Sequence, residues 1–78
     1  MAKIIFEGWE HGMQKIPFIK LLNLTAALSL KESKKNKDLI VDGEIVTINL
    51  MSDDLANEII KQARQLGVKC KLDNDDNG

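Results

Sequence analysis

The sequence predicts an α+β domain, a two-layer sandwich of order β-α-α-β-α-β whose three-stranded antiparallel or mixed sheet is covered on one face by helices. Three observations carry that prediction. Residues 44–50, in their second half, and 68–72 alternate apolar and polar side chains, the period of a half-buried strand. Residues 53–66 repeat apolar side chains at spacings of three and four, the period of a helix buried on one side. A chain of 78 residues has room for one core, so helices with a single apolar face must close over a single sheet.

Each element has its own signal. Lys3-Ile4-Ile5-Phe6-Glu7 is β-branched and aromatic and reads as a strand that Gly8 stops. Trp9 to Gly12 connects it to a helix from near Lys15, where Pro17 falls in the first turn and costs no hydrogen bond. Ile16, Ile19 and Leu22, with Phe18, mark its apolar stripe, and residues 23–26 end it. A second helix starts at Leu28 or Ser29, because Ser29 and Glu32 stand at capping-box spacing and the lysines follow toward the negative end of the dipole. Residues 39–46 admit two readings: a hairpin turning at Asp42-Gly43, or a helix end followed by a strand. Ser52-Asp53-Asp54 opens a third helix, whose face is Leu55, Ile59, Ile60, Ala63 and Leu66 and whose stop is Gly67. Strand 44–50, helix 53–66 and strand 68–72 form a right-handed crossover, with the first strand slotted between the other two and antiparallel to both. The domain spans 1–72, and 73–78 reads as an acidic polar tail.

Composition narrows the class. Charged residues are 29% and the net charge is −1, which on totals argues against nucleic acid. The distribution says more: between Met13 and Lys37 lie six lysines (15, 20, 31, 34, 35 and 37) against Glu32 alone. Cys70 is the one cysteine, so no intrachain disulfide forms and a reducing compartment, the cytoplasm, is expected. No run reaches the ~18 apolar residues of a membrane span, and residues 1–7 are too short for a signal-peptide core.

Catalytic and metal signals are missing from the pattern. His11 has no second His or Cys at ligand spacing and reads as a surface residue. Asp53-Asp54 reads as a helix cap, Cys70 as a small buried hydrophobe and Trp9 as a lid on the core. Asp73, Asp75 and Asp76 lack the Gly and closing Glu of a calcium loop, and no phosphate-binding glycine loop exists. The expectation is a chain that is not an enzyme and carries no cofactor.

Several stretches resemble the C-terminal domain of the bacterial ribosomal large-subunit stalk protein (seven/twelve). Gly12-Met13-Gln14-Lys15-Ile16-Pro17-Phe18-Ile19-Lys20 is similar to that family's entry into its first helix, and Leu28-Ser29-Leu30-Lys31-Glu32-Ser33-Lys34 to its Leu-Gly-Leu-Lys-Glu-Ala-Lys. Ser52-Asp53-Asp54 and Leu66-Gly67-Val68-Lys69-Cys70-Lys71-Leu72 also fit, so the likeness runs from about Lys3 to Leu72. Asn23 stands where the family usually has Arg, and Leu24, Ala27 and Ser29 where it has glycines. The resemblance favours the reading in which a helix ends before Gly43.

The resemblance implies function as well. The family's two-helix face recruits translation GTPases such as elongation factors Tu and G, and the matching positions are Lys15, Ile16, Ile19, Lys20, Lys31 and Lys34. Physically these are a basic rim around a small apolar patch, suited to a transient interface. Singly, each lysine reads as a solvated surface residue; as a set they read as a contact surface. The expected protein is a free-standing monomer, since the family's dimerisation segment and any heptad repeat are absent. Such a module suits a phage or mobile element acting on host machinery. A Clp-protease-type adaptor, built on a similar fold, is the alternative. Binding of nucleic acid through the lysines is a third reading, disfavoured by few aromatics and by the absence of Arg from the cluster.

Overall fold

The computed structural model describes residues 2–73. Its elements are β1 (Ala2–Trp9), α1 (Lys15–Leu24), α2 (Leu30–Val41), β2 (Val46–Leu50), α3 (Asp53–Gln65) and β3 (Val68–Asp73). The sheet order is β2-β1-β3, and β1 is antiparallel to both neighbours. This is the α+β sandwich the patterning predicts. The alternation works as expected: Ala2, Ile4, Phe6, Val46, Ile48, Leu50, Val68 and Cys70 are buried under the helices. Phe6 on β1 meets Phe18 on α1 edge to face, with centroids 5.6 Å apart and rings inclined at 74°, which joins the two layers at the centre.

Capping explains where the helices begin and end. Ser29 accepts from the Glu32 amide and Ser52 from the Leu55 amide, each at 3.1 Å. The end of α2 is a paired C-terminal motif: the Gly43 amide donates to Ile40 at 3.1 Å and the Glu44 amide to Leu39 at 2.9 Å. Gly43 sits at φ 94°, the left-handed conformation this closure needs. Those bonds decide between the two readings of residues 39–46, because the backbone that a hairpin would use is spent closing a helix.

Six boundaries differ from the sequence reading, among them two shifts of a single residue: β1 starts at Ala2 and α3 ends at Gln65. β1 does not stop at Gly8; it continues to Trp9, because β3 pairs with Gly8 and Trp9 across a bulge at Glu7. β2 starts at Val46, two residues late, since Glu44 belongs to the cap of α2. The next differs by a residue or two: α2 starts at Leu30, and Ser29 is its cap. Asp73 is the last residue of β3, with its carboxylate 4.0 Å from Lys3 Nζ, so it does not belong to a tail; the rest of that reading, residues 74–78, lies outside the described residues.

Gly67 holds the layers in register at the end that carries α1. Its φ is 91°, and a Cβ there would stand 3.0 Å from the Met13 Cα. The Glu10 amide donates to the Gly67 carbonyl at 2.8 Å and the Gln14 amide to Leu66 at 2.9 Å. The turn after α3 therefore straps down the loop that launches α1, and only glycine allows the approach.

Candidate functional site: the helical layer

The direction of each α1 side chain follows from helix geometry. Phe18, Ile19, Leu21 and Leu22 are buried and define the inward arc. Ile16, Lys20 and Leu24, spaced by four, fall on the opposite side and are exposed, Ile16 by 62% and Leu24 by 78%. The stripe inferred from sequence is thus shifted. Ile16 is out, and Ile19, at 5% exposure, belongs to the core and cannot touch a partner directly. Five apolar residues among positions 16–22 left the helical phase open; the arc that buries four of them wins because it removes the most apolar surface from water.

The lysines separate into three settings. Lys15 Nζ lies 5.8 Å from the centroid of the Trp9 ring, a cation–π contact at the start of α1. Lys20 stands about 140° further round the helix. It lines a groove of about 320 Å³ between α1 and α3, together with Pro17, Leu21, Leu24 and Leu66. On α2, Lys31, Lys34 and Lys35 are exposed on the side away from buried Ser33 and Ile40, so these three share a face. Among the described residues, none of Lys15, Lys20, Lys31 and Lys34 forms an ion pair. Lys37, partly buried, pairs with Asp38 and is not part of that set.

Trp9 is a correction too. It is 38% exposed rather than a core lid, and its indole Nε1 donates to the Val41 carbonyl at 3.1 Å. Ser33, fully buried on α2, has its hydroxyl satisfied by the Ser29 carbonyl at 2.9 Å. Asn23 Nδ2 donates to the Leu28 carbonyl at 2.7 Å and fixes the connection between the helices.

Chemistry-bearing groups are scattered. His11 is exposed in a loop, and Asp53 and Asp54 occupy the first turn of α3, where the helix dipole favours acids. Cys70 is buried with Sγ 3.8 Å from the Ile60 carbonyl, and burial pushes its thiol up to about 11, an effect that the nearby Arg64 charge opposes and Glu7 assists. Among the described residues no group of three or more His, Cys, Asp and Glu could hold a metal ion. Nor, among them, is any helix long and apolar enough to cross a membrane.

The groove residues Pro17, Leu24 and Leu66 escaped the sequence reading. The spacing from Ile16 through Lys20 to Leu24 was the available signal, visible only once the phase of α1 is known. Comparison with family models, with curated proteins and with solved structures found no match to this chain.

Proposed function

We infer that this chain is a non-catalytic protein-binding module, acting in a reducing cytoplasm, that docks a partner through its helical layer. Ile16 is the observation that carries the reading. It is 62% exposed, and with Leu24, 78% exposed, and Lys20 between them it gives one side of α1 an apolar surface edged by positive charge. Lys31 and Lys34, exposed and unpaired among the described residues, add long-range attraction for an acidic surface. The partner-binding set is then Lys15, Ile16, Lys20, Lys31 and Lys34, with Ile19 supporting Ile16 from within.

The resemblance to the stalk domain makes a translation GTPase the first partner to try, with the chain as a competitor or modulator of recruitment. Titration of fluorescently labelled chain with purified elongation factors Tu and G tests the reading. Saturable binding that Ile16→Ser weakens supports it. Absence of binding to either factor, with saturation by a Clp chaperone or a short RNA instead, selects one of the other classes.

A further inference from the structure

The two edges of the sheet are not alike. β3 is defended: Lys69 and Lys71 are exposed along it, and Arg64 donates from Nε and Nη2 to the Cys70 carbonyl at 3.3 and 3.0 Å. Charge and a covered carbonyl are the usual means of stopping edge-to-edge pairing. β2 has none of them. From Ile45 to Met51 the sequence is Ile-Val-Thr-Ile-Asn-Leu-Met, with no charge, no proline and no glycine. Within it, Val46–Leu50 pairs with β1 on one side only, in an unbroken register. At its ends stand two of the most exposed apolar side chains of the described residues, Ile45 at 68% and Met51 at 91%.

We propose that the β2 edge is a self-association site, where a second copy of this chain pairs antiparallel about a two-fold axis at Ile48. In that register Ile48 faces Ile48 of the second copy, Thr47 faces Asn49, Val46 faces Leu50 and Ile45 faces Met51. Each facing pair matches in character. Ile45 and Met51 flank the strand at its two ends, so the symmetric arrangement brings the end of one copy's strand, with Met51, beside the start of the other's, with Ile45. An uncharged segment meets its copy without the like-charge repulsion that a β3–β3 contact would meet. The result is a continuous sheet of order β3-β1-β2-β2-β1-β3. It closes at the dimer, because the charged β3 edge gives no site for a third copy.

A contact built on one five-residue strand is small, so the dimer is weak and concentration-dependent rather than obligate. The expectation of a monomer rested on the absence of the family's dimerisation segment and of a heptad repeat, arguments about helices that do not bear on a strand edge.

Sedimentation equilibrium of the full chain, from about 10 µM to about 1 mM, tests the proposal. The wild-type mass climbs toward twice that of the monomer and no further. T47K/N49K sets Lys against Lys twice across the axis and weakens the dimer about tenfold. T47K/N49E sets Lys against Glu twice and restores it. Because Asn49 stands opposite Lys3 on β1, thermal unfolding of both variants reports any loss of fold separately. A wild type that stays monomeric at the highest concentration overturns the proposal and leaves the edge to a strand from another protein. A mass that grows past the dimer overturns the closure. Equal association of the two variants overturns the register.

Discussion

The indole of Trp9, at the end of β1, donates its N–H to the carbonyl of Val41 in the last turn of α2, 3.1 Å away and thirty-two residues along the chain. A helix leaves its last carbonyls without intrahelical donors. Here a side chain from the sheet supplies one, while the same ring receives the Lys15 ammonium 5.8 Å from its centroid. One half-exposed residue thus ties together the sheet, the start of α1 and the end of α2.

Replacing that ring by Phe keeps the apolar body and removes the donor. Trp9→Phe is expected to lower stability by about 1 kcal/mol in urea titrations, the worth of one hydrogen bond with a weakened cation–π contact. A change within about 0.3 kcal/mol would mean that solvent serves the Val41 carbonyl equally well.

Why was so much of this architecture readable from residues alone? Ser29 with Glu32, and Ser52 with two acids behind it, announce helix starts by local chemistry that needs no tertiary partner. The alternation in β2 and β3 is equally local. Trp9 was not readable, because its neighbour is set by where α2 ends, and that depends on the Gly43 closure. Ile16 and Ile19, read alike from the sequence, part company for a related reason. Apolar residues crowd α1, and only the position of the sheet beneath it decides which of them faces inward. The edge position of β2 follows from the predicted strand order, but its exposed ends, Ile45 and Met51, do not, because they depend on where the strand starts and stops.

Ala27, between α1 and α2, adopts φ 58°, a left-handed conformation that favours glycine. Ala27→Gly relieves that strain at the cost of a more flexible unfolded chain, and the net expected gain is about 0.5 kcal/mol. Denaturant unfolding of the variant checks it. A loss of stability would show that Asn23, bonded to the Leu28 carbonyl, holds the turn without strain at Ala27.

Burial of Cys70 makes a pH prediction whose sign is fixed. The folded thiol titrates at about 11 against an ordinary 9.0, so the unfolded chain loses its proton first as pH rises. The stabilising effect is complete below pH 9 and disappears as pH climbs through 11, by no more than about 3 kcal/mol. Comparing unfolding of the wild type and Cys70→Ala over that range isolates the contribution of the thiol. Alkylation of the native thiol near neutral pH is expected to run at least about a hundredfold slower than in the unfolded chain, since burial lowers the thiolate population and also blocks the reagent.

The central claim, docking through the helical layer, is tested most directly by the association rate of Lys20→Glu/Lys34→Glu with purified elongation factor Tu or G over a series of salt concentrations. Both lysines are exposed and make no ion pair among the described residues, so the double variant should unfold within about 0.5 kcal/mol of the wild type. The account predicts slower association, with a salt dependence flattened or reversed, because reversing two cations removes the attraction that guides an acidic partner. A folded variant that binds at the wild-type rate with the wild-type salt slope contradicts it.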